Sequence, residues 1–174
     1  KGLVRWCQGY SEPGAGSDLA SLQTFAEDHG DHYVVNGQKT WTTLAQHADM
    51  IFCLCRTDKN AKKQMGISFI VFPMKSKGVT VRPIQTIDGG HEVNEVFFDG
   101  AIALPENLVG GVGDGWKVAM GLLEAERGVS TLGQQMHFMH ELDLVIAAAR
   151  ATGKDKNPQV RQRIAHAWCG LRVM

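Results

Sequence analysis

Two places in the chain gather residues whose types and spacing could do chemistry. The first is Trp6-Cys7-Gln8-Gly9-Tyr10-Ser11-Glu12-Pro13-Gly14-Ala15-Gly16-Ser17-Asp18, where a β-like run (Leu3-Val4-Arg5-Trp6) breaks into a loop of glycines, a proline and small polar groups. Glycine lets backbone N–H groups come close to a bound group. Ser11, Ser17 and Asp18 can add side-chain hydrogen bonds. Such a loop suits a flat, polar-edged cofactor or a phosphate; read alone, it is equally a solvated connection. The second place is Glu126-Arg127. The apolar positions Trp116, Ala119, Met120 and Leu123, continued by three or four residues, land on this pair. A carboxylate on the apolar side of a helix is costly to bury, and desolvation moves its pKa toward neutrality, which suits a general base. By spacing alone, a Glu–Arg arrangement satisfied by neighbouring helices accounts for the pair without catalysis.

The elements that must position these groups fall into two kinds. The first part reads as short strands between turn signals: Leu22 to Ala26, a polar turn at Glu27 to Asp31, then His32 to Val35 and Gln38 to Thr43 as a hairpin about Asn36-Gly37. Asn-Gly is the residue pair that a type I′ turn favours. Met50 to Cys55, Gly66 to Phe72, Val79 to Arg82 and Glu92 to Phe98 follow. The nearly continuous apolar run of Gly66 to Phe72 predicts burial on both faces. Many short strands with regular turns predict an antiparallel sandwich or barrel, with no dinucleotide-type βαβ alternation. After the glycine joint at 110–115 the period becomes helical. Asp114 is a candidate cap, and Gly128 and Gly133 predict a kink or a close helix contact. Asn157 as cap and Pro158 as first residue begin a second helix, with a stripe of Val160, Ile164, Ala167, Trp168 and Leu171. Neither helix can bury its stripe alone, so a partner bundle is expected.

Totals narrow the field. At 174 residues and 44% hydrophobic content the chain can hold a packed core. Zero formal net charge gives no global field favouring nucleic acid or an anionic membrane. No apolar stretch is long enough for a membrane-spanning helix. Cys53 and Cys55 share one face of a strand and do not have CxxC spacing, and the histidines show no ligand spacing, so no metal is expected. Buried thiols in a reducing compartment are the expectation. The loop lysines Lys59, Lys62 and Lys63 read as a solvated charged loop or a local anion contact. His91 sits at a turn, and His137 and His140 share one side of a helix.

Read together, the opening loop and Asn36-Gly37-Gln38-Lys39-Thr40-Trp41-Thr42-Thr43 resemble the middle domain of the acyl-CoA dehydrogenases. The resemblance continues through Leu104-Pro105-Glu106-Asn107-Leu108-Val109-Gly110 and covers nearly the whole chain. Trp6-Cys7-Gln8 and the run from Thr86 to Phe98 are similar to the bacterial subgroup that includes pimeloyl-CoA dehydrogenase large subunits. The fold it implies is mixed β then α: a β-sandwich or barrel middle domain (1–110, contacting flavin and acyl-CoA), then the first helices of a four-helix bundle (111–174). Such a chain would be a fragment of a longer one, lacking an N-terminal helical domain and most of the bundle.

The resemblance implies FAD as cofactor and α,β-desaturation of an acyl-CoA thioester, with proton abstraction at Cα and hydride transfer from Cβ to the flavin N5. Gln8, Tyr10 and Ser11 match residues beside the flavin; Gly16 and Ser17 match the end of that loop, with Ser17 also at the CoA arm. Trp41, Thr42 and Thr43 match the strand on the isoalloxazine, where Trp41 would pack on the ring and Thr43 would hydrogen-bond it. Taken alone, Trp41 reads as core packing. Leu122-Leu123-Glu124-Ala125-Glu126-Arg127 matches the minority of members whose base lies on the first bundle helix, making Glu126 the base and Glu124 and Arg127 substrate contacts. Most members place the base late in the bundle instead, beyond residue 174. Implied partners are acyl-CoA, an electron-transfer flavoprotein or similar acceptor, and further subunits of the same or another chain in a bacterial cytoplasm; nucleic acid and membrane are not expected. An acyl-CoA oxidase on the same scaffold would reveal itself by rapid peroxide release. A non-catalytic flavin-fold binding protein would reveal itself by salt-sensitive DNA binding.

Overall fold

The structure is a computed structural model that describes residues 2–173, with the side chains of residues 127–131 outside the described set. The chain divides into two compact units, Lys1–Met120 and Gly121–Met174.

The first unit is built on one eight-stranded sheet. Its strands are β1 (Trp6–Gly9), β2 (Phe25–Asp28), β3 (Tyr33–Thr43), β4 (Met50–Arg56), β5 (Ile67–Pro73), β6 (Val79–Ile84), β7 (Val93–Ala103) and β8 (Leu108–Val109). The order is β6-β7-β3-β2-β4-β5-β8, with β1 alongside β4. Most pairings are antiparallel; β1–β4 and the single β2–β4 rung are parallel. The sheet curls over its own core, because Phe72 of β5 meets Phe98 of β7 edge-on at 5.3 Å although their strands are not neighbours. Val35, Ile51, Cys53, Ile70, Phe72 and Val96 are fully buried there. The sandwich-or-barrel expectation is met, and β5 is buried on both faces as its apolar run predicts.

Several boundaries differ from the sequence reading. Leu3 and Val4 are exposed and precede β1. The strand expected at Leu22–Ala26 runs Phe25–Asp28 instead. Asn36-Gly37 is not a hairpin turn: β3 passes straight through it, and the hairpin to β2 is made at His29-Gly30, where His29 N–H donates to the His32 carbonyl. The reason is tertiary. Gly37 (φ +144°) lies so close to Thr24 that a Cβ would stand 2.7 Å from its Cα and Oγ1, and Asn36 Oδ1 accepts the Gly100 N–H at 2.8 Å. Gly100 belongs to a bulge in β7 opposite Asn36, which carries β7 on to Ala103 rather than ending it at Phe98. Cys7, Cys53 and Cys55 are buried thiols, whereas Cys169 is exposed.

The helix α1 (Gly115–Ala151) includes both Gly128 and Gly133. A Cβ at Gly133 would meet nothing within 4 Å among the described residues. Asp114 precedes the helix and its carbonyl takes the Val118 N–H, but its carboxylate turns back to the Gly111 N–H at 3.0 Å. In the second unit α2 (Pro158–Val173) starts as expected: Asn157 Oδ1 accepts the Gln159 N–H at 2.9 Å and Pro158 is the first helical residue. Leu142 and Ala149 are buried, while Leu132, Met136, Leu144 and Trp168 stay exposed. No helix among the described residues is long and apolar enough to cross a membrane.

Candidate functional site

The loop after β1 is folded by its own chemistry. Glu12 and Ala15 exchange backbone hydrogen bonds at 2.9 and 3.0 Å, so Pro13-Gly14 forms the tip of a tight turn. Cβ atoms built on Gly14 and Gly16 would stand in open space, which leaves the backbone accessible from outside. Among the described residues the N–H groups of Gly16 and Ser17 have no acceptor, and both residues are exposed. Asp18 pairs with Lys63 at 2.9 Å on the surface. Lys59 lies over the Phe25 ring at 4.0 Å.

This loop and the end of β3 are one assembly. The Thr40 N–H donates to the Ser11 carbonyl at 2.8 Å rather than to the neighbouring strand. The register of β3 on β7 slips there, from Lys39 opposite Val96 to Thr42 opposite Asn94, so Thr40 and Trp41 together face the single residue Glu95. Such a bulge twists the strand and re-aims a side chain. Trp41 takes φ +60° and is 60% exposed; Leu44, three residues on, takes φ +53° and is also exposed. A non-glycine residue in the left-handed region costs about 1–3 kcal/mol, and such strain collects at ligand-binding sites. Thr43 is exposed beside Trp41, while Thr42 is buried. Thr42 Oγ1 and its register partner's Asn94 Oδ1 are buried without a hydrogen-bond partner among the described residues. The Asn94 amide donates to the Thr42 carbonyl and to Gln46.

Beneath the surface lies an ion pair. Lys39 is 0% exposed, and its Nζ donates to Glu12 Oε1 at 2.8 Å and to the Tyr10 carbonyl at 3.1 Å. Glu12 also accepts the Thr24 N–H at 2.9 Å and the Gln23 N–H at 2.6 Å. Burial alone would push its carboxyl up, but the Lys39 ammonium and these hydrogen bonds outweigh that and hold it below the usual carboxylate range. Sequence reasoning missed both residues. A signal was present for Lys39: Tyr33, Val35 and Lys39 share the inward phase of β3, and a lysine at such a position needs a buried partner.

The expected site residues are thus distributed unevenly. Ser11, Trp41, Thr42 and Thr43 are brought together, with Gly16 and Ser17 on the same loop. Gln8 is half-buried on β1, opposite Phe52 of β4. Tyr10 turns its ring inward, edge-on to Phe52 and Phe69 at 6.1 and 6.4 Å, so its aromatic face is not displayed with Trp41. Glu124 and Glu126 belong to the second unit and are exposed on α1 rather than buried. The side chain of Arg127 lies outside the described residues. His91 is exposed, and its carbonyl accepts from Gln46 at 2.7 Å.

An outward tryptophan on a bulge, and open glycines and unclaimed backbone donors on the loop bonded to the residue before it, fit a planar ring with polar edges, the shape of a flavin. Comparisons with known proteins bear on the same region. Residues 7–101 match the family profile "Acyl-CoA dehydrogenase, middle domain". The curated acyl-CoA dehydrogenase IpdE1 of Mycobacterium tuberculosis is 52% identical over 97% of this chain and 44% of its own length. A solved structure described as "Tcur3481-Tcur3483 steroid ACAD" superposes with TM-score 0.87 at 36% identity, over 98% of this chain and 44% of that one. The ChsE4-ChsE5 complex from Mycobacterium tuberculosis superposes with TM-score 0.65 at 40% identity, over 70% of this chain and 31% of that one. The chain therefore spans less than half the length of the relatives it matches.

Proposed function

Because the chain belongs to the acyl-CoA dehydrogenase family, we propose that it is the flavin-facing sheet and first bundle helix of an enzyme that desaturates an acyl-CoA thioester between Cα and Cβ. The observation that carries this reading is the Ser11–Thr40 junction, which sets the loop and the Trp41 bulge on one edge. FAD, when bound, supplies the hydride acceptor. Trp41 would hold its ring by face contact, and Ser11, Thr43 and the Gly16-Ser17 backbone would bond its polar edge, with Ser17 also serving the CoA arm. Residues 1–110 would form the flavin-contacting domain and residues 111–174 the start of the bundle.

Glu126 is our candidate for the base. An α-proton beside a thioester is weakly acidic, so its removal needs a carboxylate held at hydrogen-bond reach and shielded from water. The exposed Glu126 of this chain would gain that shielding from the remainder of the bundle, with Glu124 and Arg127 contacting substrate or orienting the base. The solved relative described as a steroid ACAD supports a steroid-derived or other bulky cyclic acyl group as substrate class. The ChsE4-ChsE5 complex supports assembly with a different subunit as well as with a second copy. Bacterial relatives support a cytoplasmic setting, and the electron acceptor we infer is an electron-transfer flavoprotein or a similar protein.

The test is to express the full-length parent and record its visible spectrum while adding straight-chain and steroid-derived acyl-CoAs. A yellow protein bleached by the cyclic substrates is expected. Glu126→Gln should keep the colour and lose bleaching by about 1000-fold or more, the scale of removing a general base. A colourless parent would sink the flavin reading, and a fully active Glu126→Gln would move the base elsewhere.

A further inference from the structure

We propose that Glu12 and Lys39 are positioning residues for the flavin face: they pin the loop to β3 on both sides of the Ser11–Thr40 junction, so that the bulge presents Trp41 in one orientation. This rests on the flavin reading above and adds to it the device that preorganises the ring's platform.

The geometry is a two-point clamp. Consecutive loop carbonyls, Tyr10 and Ser11, accept from consecutive strand residues, Lys39 through Nζ and Thr40 through its N–H. Glu12, next in the loop, takes the same ammonium and then reaches Gln23 and Thr24. Thr24 in turn sits against Gly37, two residues before Lys39. One buried pair thus ties three segments at the place where β3 leaves its ladder.

An ion pair of this kind is a poor choice for stability alone, since well-packed apolar residues of similar volume often do as well or better. Its specific yield is direction. Both residues are buried, Lys39 at 0% and Glu12 at 7% exposure, and among the described residues the pair's bonds end on the backbone of the loop segments or on the partner's side chain. Apolar replacements would fill the space and leave the Tyr10 carbonyl and the Gln23 and Thr24 N–H groups unheld. The Thr40 N–H would then keep Ser11 as its only tether to the loop. The bulge itself is strained at Trp41, so it persists only while its surroundings over-determine it.

The experiment uses the full-length protein with Glu12→Gln, Lys39→Met and the double variant, in which no buried charge is left unpaired and folding is least at risk. FAD affinity is measured by titrating the apoprotein, and amide hydrogen exchange is read at Thr40 and at Ile70, whose strand is paired along its length with β4. The double variant should bind FAD about tenfold or more weakly, the scale of losing charge-assisted hydrogen bonds, and exchange Thr40 faster with Ile70 unchanged. Parental FAD affinity in the double variant overturns the proposal. So does a rise in exchange at Thr40 and Ile70 together, which would make the pair a general core stabiliser. A parent that binds no FAD defeats the flavin reading instead, and the Thr40–Ile70 contrast still decides whether the pair holds the junction.

Discussion

Ser11 and Thr40 are joined backbone to backbone at 2.8 Å, and the residue that follows, Trp41, is the one turned outward in a left-handed conformation. The two facts are linked. A strand residue that gives its N–H to a loop cannot also give it to the next strand, so the ladder to β7 opens by one residue and the chain swings Trp41 out. Exposure of a large aromatic ring is therefore built into the backbone rather than left over from poor packing.

Trp41→Gly separates stability from binding. Glycine relieves a left-handed conformation worth about 1–2 kcal/mol, and the lost contacts are modest because the ring is already 60% exposed. Folding stability by denaturant titration should stay within about 1 kcal/mol of the parent, while flavin affinity of the full-length protein falls by about tenfold or more. A variant that unfolds readily but binds flavin normally when folded would make Trp41 a packing residue instead.

Acid should act on Glu12 with a definite sign. Its folded-state carboxyl is held below the ordinary value of 4.5, because the Lys39 ammonium and the bonds from Lys39, Thr24 and Gln23 overcome the opposing effect of burial. A group depressed on folding contributes stability that is fully present above its unfolded pKa and is lost as pH falls through its folded one. At neutral pH, Glu12→Gln should cost about 3–5 kcal/mol by leaving Lys39 unpaired. That gap to the parent should narrow as the pH drops below 4.5. Denaturant titrations of both proteins across that range supply the measurement; a gap constant with pH would mean that Glu12 is not the charged partner of Lys39.

What the sequence could reveal divides by distance along the chain. The start of α2 was legible because Asn157 and Pro158 act on their immediate neighbours. The double-sided burial of β5 was legible because a continuous apolar run has no polar face to offer water. Asn36-Gly37 misled because its local turn chemistry is overridden from afar: Thr24 crowds the glycine and Gly100 takes the asparagine. The outward aim of Trp41 depends on Ser11, far earlier in the chain, and no local pattern encodes it. Tyr10 and Ser11 look equivalent in the motif, yet past the end of β1 Tyr10 turns its ring into the core while Ser11 stays half-buried at the junction. Matching residues to a family located the loop and the strand; the inward phase of β3 marks Lys39 as buried, and only three-dimensional contact identifies Glu12 as its partner.

Glycines in α1 offer the sharpest contrast between positions that look alike in sequence. Gly115 opens the helix against β5, and a Cβ there would fall 2.4 Å from the Ser68 carbonyl carbon and 2.7 Å from the Phe69 nitrogen. Those are backbone atoms, so neither can rotate aside, and Gly115→Ala must shift the helix start or the strand. Ser68 also accepts the Gly113 N–H at 3.0 Å, so the joint itself would move with it. The expected cost is about 1–3 kcal/mol, as for overpacking a filled core. At Gly133 nothing lies within 4 Å, and alanine gains helix propensity, so Gly133→Ala should stabilise by up to about 1 kcal/mol. Thermal unfolding of the two variants in the full-length protein should shift in opposite directions. Equal loss at both would mean that Gly133 meets a close neighbour which the described residues do not supply, in favour of the close-contact reading of that glycine.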